Sequence, residues 1–128
     1  MKTFVLNKPN EIFVFGSNLA GRHGKGAAVT AYVMYGAKYG VGSGMQGRSY
    51  AIPTKDGNLN ILPIDTIRKY VDDFIAFAIS RPDLIFYVTT IGCGLAGYKD
   101  RQMAPLFLNY PSNCVLQDIW ISIINELK

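Results

Sequence analysis

Twice in this chain a short run rich in β-branched and aromatic residues empties into a glycine-rich loop. The first instance is "IFVFGSNLAGRHGKG" at 12–26, the second "LIFYVTTIGCGLAGY" at 84–98. A run of four to eight apolar residues bounded by glycine reads as a buried strand. A strand that passes through a glycine loop into a helix is the unit of an α/β layer structure. In an open sheet of that kind the loops lie at the carboxyl ends of the strands, where ligands bind. Two such loops therefore constrain both the fold and the place of any site.

The rest of the chain fits the alternation. Residues 11–16 read as the first strand, and Ser17 to about Lys25 as a loop. "GAAVTAYVMYGAK" (26–38) is apolar nearly all round and reads as a buried helix. "YGVGSGMQGR" (39–48) reads as a loop and "SYAIPT" (49–54) as a strand that ends at Pro53 or lies at an edge, because proline cannot donate to a ladder. Between Pro63 and Ser80 the residues Ile64, Ile67, Val71, Phe74, Ile75 and Ala78 recur at helical spacing. Residues 84–91 read as a central parallel strand. A helix over about 100–108, a short strand near 114–116 and a final helix over 117–127 complete the pattern, the last burying Ile119, Trp120, Ile123, Ile124 and Leu127. The expected class is α/β, in a single domain over residues 1–128.

Composition excludes several alternatives. The chain is 49% hydrophobic and 17% charged, which predicts a packed core rather than disorder. It has no run of 18 uncharged apolar residues and no signal-peptide pattern, so a cytoplasmic location is expected. Cys93 and Cys114 fit no zinc spacing, and with one histidine no protein-bound metal is expected; two reduced thiols are. The net charge of +4 permits an anionic partner, but no window clusters four or more cations, so nucleic acid is not indicated.

Two phosphate motifs fail on inspection. "GSGMQG" (42–47) has the spacing G-x-G-x-x-G, yet a helix precedes it and a strand follows, the reverse of what a pyrophosphate site needs. It reads as a flexible connection or, alternatively, a lid. "GK" at 24–25 lacks the P-loop context, since Leu19 and Gly26 stand where glycine and Ser or Thr are required.

The two glycine loops themselves suit phosphate. Without Cβ atoms the backbone N–H groups can approach phosphate oxygens closely. A helix N-terminus adds roughly half a positive charge. Single residues are open to two readings each. Asn18 either binds a ribose hydroxyl or caps its loop. His23 is either a general base or an exposed loop residue. Arg22 and Lys25 either steer phosphates or are solvated, and Lys55 is either a site lysine or an ordinary turn residue.

"SNLAGRHGKGAAVTAYVMYG", "YAIPTK" and "VTTIGCGLAGY" together resemble the macrodomain family over residues 12–107. They are nearest the branch holding the terminal ADP-ribose glycohydrolase and the ADP-ribose-1″-phosphate phosphatase. Short standalone macro-like proteins of bacteria and phages are similar too. The resemblance implies a three-layer α/β/α fold with a mixed, mostly parallel central sheet, no cofactor, and a site for ADP-ribose or a related NAD-derived nucleotide. On one wall it implies Gly16, Ser17, Asn18, Leu19, Gly24, Lys25, Gly26 and Ala27. Thr54 follows at a strand end, and Gly92, Cys93, Gly94, Leu95, Ala96, Gly97 and Tyr98 form the other wall. In the glycohydrolase a lysine attacks the anomeric carbon of the distal ribose, and that lysine falls on Lys55. Catalytic candidates are thus Lys55, His23 and Asn18.

The chain departs from the family twice. Ala96 stands where the glycohydrolase has an aspartate, and "NKPNE" replaces the "GD" whose aspartate binds adenine, leaving Glu11 or Asn10 as substitutes. Two functions follow as expectations. One is hydrolysis of an ADP-ribose adduct, which would involve an ADP-ribosylated macromolecule. The other is binding of the nucleotide without turnover, as a sensor or sequestering protein. Binding of RNA or another nucleotide has only the net charge behind it.

Overall fold

The computed structural model describes residues 4–128. It is a mixed α/β/α structure around a five-stranded sheet of order β2-β3-β1-β4-β5. The strands are β1 (Glu11–Asn18), β2 (Gly44–Gln46), β3 (Ser49–Lys55), β4 (Ile85–Val88) and β5 (Cys114–Val115). The helices are α1 (Ala27–Met34), α2 (Ile64–Ser80), α3 (Asp100–Met103) and α4 (Asp118–Leu127), with a 3₁₀ turn over Ala104–Phe107. All pairings are parallel except that of β2 with β3.

Strand β1 is central because its residues are apolar on both faces. Ile12 and Val14 point into a large core with α2, the 3₁₀ turn and α4, where Phe74, Phe86, Phe107 and Trp120 pack. Phe13 and Phe15 point the other way, into a smaller core with Ala28, Ala31 and Tyr35 beside α1. Each fully buried side chain of this size contributes about 1.5–3 kcal/mol. Three helices thus cover one face, and a single short helix covers much of the other.

Several expectations needed correction. Helix α1 is shorter than 26–38 and is buried on one side only: Gly36 (φ 76°) turns the chain, and Ala37 N–H returns to the Ala31 carbonyl at 3.0 Å. Val33 is 71% and Met34 58% exposed. An all-apolar helix with no partner layer beyond it leaves half its surface in water. "YGVGSGMQGR" is not all loop, since Gly44–Gln46 pairs with β3. Strand β3 does not stop at Pro53 but runs to Lys55. The β2 ladder already ends at Ala51 and the β1–β3 register shifts between Ser17 and Asn18, so the missing proline N–H falls where the ladder is broken. Strand β4 is four residues rather than eight, and Ile119 (52%) and Leu127 (55%) of α4 are exposed. No helix among the described residues is long and apolar enough to cross a membrane.

Candidate functional site

Strands β1 and β4 are neighbours, but their outgoing loops diverge. The loop after β1 leads to α1 on one face, and the loop after β4 leads to α3 on the other. Divergence of that kind opens a crevice at the carboxyl ends of the strands. Here it is a cleft of about 730 Å³, within the range of about 300–1,000 Å³ usual for small-molecule sites.

From β1 and its loop the cleft takes Gly16, Ser17, Asn18, Arg22, Gly24, Lys25, Gly26 and Ala27. The end of β3 supplies Thr54 and Lys55. The loop after β4 supplies Thr89, Thr90, Ile91, Gly92, Gly94, Leu95 and Ala96, and Gln117, just before α4, completes this set. The sequence-derived candidates that do not line it are Leu19, His23, Cys93, Gly97 and Tyr98. Among the described residues the charged lining residues are Arg22, Lys25 and Lys55, and the lining includes no Asp, Glu or His.

The first wall is held from behind. Asn18 spends its amide on its own loop: Oδ1 accepts the Arg22 N–H and Nδ2 donates to the Arg22 carbonyl, both at 3.0 Å. It therefore caps the loop while facing the cleft. The segment 38–46 braces the back of the turn. Gly40 N–H donates to the Gly21 carbonyl at 2.9 Å, and the Ser17 hydroxyl donates to the Gly42 carbonyl. A Cβ at Gly42 would lie 2.1 Å from the Asn18 carbonyl oxygen, and one at Gly21 2.3 Å from Val41 N. "GSGMQG" is thus a strut, and the lid reading fails because this segment is packed backbone against backbone.

His23 belongs to the strut, not to the cleft. It is 2% exposed, packed edge-on against Phe15 and Tyr39, with Nε2 at 2.8 Å from the Lys38 carbonyl and 3.1 Å from that of Val41. Two carbonyl acceptors require Nε2 to carry the proton. Nδ1 is buried without a hydrogen-bond partner. A ring so engaged is neither an exposed loop histidine nor a base in reach of a ligand. It reaches its acceptors because residues 15 and 18 positions later fold back over it.

The second wall is closed on itself. Tyr98 N–H donates to the Gly92 carbonyl at 2.8 Å and Gly97 N–H to that of Gly94 at 3.0 Å. The Tyr98 hydroxyl donates to the Leu62 carbonyl at 2.6 Å, so this residue braces the loop from outside the cleft. Cys93 turns away toward Asp100, and burial, reinforced by that carboxylate, pushes its thiol up to about 12. The thiol is thus not poised as a nucleophile. Asp100 accepts the Trp120 indole N–H at 2.7 Å, and Asp56 accepts the N–H groups of Asn58 and Asn60, both at 2.9 Å. The Asn60 N–H is the main reason the Asp56 carboxyl lies below its ordinary range. Neither aspartate lines the cleft.

Helix α1 starts in the cleft. Its N-cap, Gly26 (φ 63°), offers no side-chain cap, and the first turn has no acidic residue. The Val29 N–H bonds the Gly26 carbonyl at 3.1 Å, which leaves the N–H groups of Ala27 and Ala28 without a partner inside the helix. Gly24 and Gly94, on opposite walls, are informative for another reason. Neither has a left-handed φ; a Cβ on Gly24 would make only ordinary contact, at 3.7 Å from the Tyr39 hydroxyl, and one on Gly94 would meet nothing within 4 Å. Neither backbone conformation nor packing demands glycine there.

Sequence reasoning overlooked Thr89, Thr90 and Gln117. The threonines suit a strand because they are β-branched, but they lie beyond the end of β4, and Thr89 Oγ1 straps back to the Val14 carbonyl at 2.8 Å. Gln117 carried no local signal. No group of three or more His, Cys, Asp or Glu that could hold a metal ion occurs among the described residues. Comparison with protein-family models, curated proteins and solved structures finds no match to this chain.

Proposed function

We propose that the cleft binds ADP-ribose or a related NAD-derived nucleotide, with the diphosphate between the two glycine loops. The observation that carries this reading is the pair Gly24 and Gly94. Two glycines that the fold does not require line one cleft, one from each loop, and close approach of a ligand to the backbone would require both. The lining charge supports an anionic ligand, since Arg22, Lys25 and Lys55 stand there without a carboxylate. The uncapped start of α1 adds N–H donors and the positive end of a helix dipole. The macrodomain resemblance of the two loops supplies the identity of the nucleotide.

Binding without turnover is the form of this proposal that the lining favours. General acid–base chemistry needs a group such as histidine or a carboxylate within hydrogen-bond reach of the reacting atoms, and the lining has neither. Hydrolysis of an ADP-ribose adduct is a second reading, supported by the one nucleophile candidate present, Lys55. A calorimetric titration with ADP-ribose tests the first: saturable heat and a thermal shift are expected, and silence at millimolar ligand overturns both readings. Release of ADP-ribose from a modified protein tests the second. Turnover that disappears in Lys55→Ala establishes it, and no turnover by the native chain leaves the binding function alone.

A further inference from the structure

The first wall of the cleft, α1 and the 38–46 segment all come from a stretch of chain without acidic residues. Residues 12–55 contain Arg22, Lys25, Lys38, Arg48 and Lys55 and not one Asp or Glu. The acids other than Glu11 lie from Asp56 onward. Glu11 opens β1, at the far end from Asn18, roughly 23 Å away at strand rise. Both ion pairs among the described residues, Arg81–Asp83 and Arg101–Glu126, lie in the second half of the chain. Arg48 is engaged by the Lys8 carbonyl and the Tyr35 ring, whereas Arg22, Lys25 and Lys38 are exposed.

The same face carries exposed rings. Tyr32 of α1 is 49% and Tyr39 58% exposed, and the two meet edge-on at 5.5 Å between centroids. Val33 and Met34 extend the apolar surface along α1. Lys38 adjoins Tyr39 in the chain, and the Tyr39 hydroxyl stands beside Gly24 at the rim of the cleft. Cations interleaved with exposed aromatic rings, continuous with a nucleotide-sized cleft, make a surface on which bases stack while phosphates are neutralised.

We infer that the face formed by α1 and the 38–42 segment docks single-stranded nucleic acid, with Tyr32 and Tyr39 as base-stacking rings and Arg22, Lys25 and Lys38 as phosphate contacts. A second copy of the chain is disfavoured there, because like charges would meet. An acidic protein would satisfy the cations but would leave the ring faces without a stacking role. This inference does not depend on the cleft's ligand being ADP-ribose.

Fluorescence anisotropy with labelled twelve-nucleotide oligo-dT and oligo-rU tests it. Three phosphate contacts predict that affinity falls roughly 20-fold between 50 and 200 mM salt. Tyr32→Ala is expected to weaken binding at least about 5-fold, with Tyr32→Phe restoring it. Lys38→Glu should weaken binding and flatten the salt slope, while Lys69→Glu, on the solvent side of α2, should change neither. Tyr32 and Lys38 do not line the cleft, so the same two variants should leave an ADP-ribose titration unchanged. Absence of oligonucleotide binding at 50 mM salt overturns the inference whether or not ADP-ribose binds. So does binding that ignores Tyr32→Ala and is displaced equally well by poly-glutamate, which would assign the face to acidic proteins. Oligonucleotide binding without ADP-ribose binding would remove the proposed cleft ligand and leave this surface standing.

Discussion

The two glycine loops look alike in sequence and are built by different physics. In the first, glycine is needed because another stretch of backbone presses on it: Gly21 lies against Gly40 and Val41, and Gly42 against Asn18 and Leu19, with no room for a Cβ at either. Hydrogen bonds from Ser17 and His23 then fasten the two segments together. In the second, the loop closes through its own backbone, and Gly94 and Gly97 have nothing within 4 Å of a Cβ position. The first wall is therefore a consequence of tertiary packing, while the second is open on the ligand side and braced by Tyr98. Substitutions in the first should cost stability and binding together. Those in the second should separate the two.

The largest effect is expected at Gly42→Ala. A methyl 2.1 Å from the Asn18 carbonyl oxygen forces strut and loop apart, and the hydrogen bonds between them go with it. Loss on the order of 4 kcal/mol is expected, at the upper end for a single substitution, and denaturant unfolding measures it. A change below about 1 kcal/mol would mean that the 38–46 segment moves freely, and the contrast between the loops would collapse. His23→Leu comes next. It removes both hydrogen bonds from the ring, although the Lys38 carbonyl keeps the Val41 N–H at 3.1 Å and the Val41 carbonyl keeps Gln46 Nε2 at 3.0 Å. Removing the orphaned Nδ1 offsets part of the cost, so about 2 kcal/mol is expected. His23→Gln, which retains an N–H donor, should recover part of it.

How much of this was legible follows the same division. Strand β1 and helix α2 could be read because their apolar residues are continuous or periodic, and such patterns are local. The place of the site was legible because glycine after a strand marks a loop at the sheet's carboxyl edge. The role of His23 was not, since its acceptors are 15 and 18 residues distant and only the folded strut brings them near. Strand β2 was hidden because three residues among glycines carry no pattern. The exposure of α1 was hidden for the opposite reason: a helix apolar on every side gives no sign of which face the protein covers. The charge segregation was present in the sequence, but as an absence of acids rather than a cluster of bases.

In the second loop Gly92→Ala should cost less than the strut substitutions. Its φ of 81° is unfavourable for alanine, and the new methyl would sit 2.9 Å from Met103 Cε. That atom ends a flexible side chain and can move. A cost of about 1–2 kcal/mol is expected from the left-handed backbone, with the loop still closed. A loss as large as at Gly42 would show that the second loop is packed as rigidly as the first.

The smallest effect on stability, and the sharpest test of the comparison, is expected at Gly94→Ala. Its backbone is not left-handed, and a Cβ there would lie in open space, so denaturant unfolding should shift by no more than about 0.5 kcal/mol. If the cleft holds a diphosphate against the loop backbone, the same methyl stands between the ligand and the N–H groups it must reach. Affinity for ADP-ribose should then fall at least about tenfold, equivalent to about 1.4 kcal/mol, while the thermal midpoint of the free protein stays in place. Gly24→Ala on the opposite wall should behave alike, since its Cβ would make only ordinary contact with Tyr39. Unchanged affinity in both variants would mean that the ligand does not approach the backbone at either glycine. The cleft would then bind its ligand through Arg22, Lys25 and Lys55 alone, and the two loops would have no shared function to match their shared sequence.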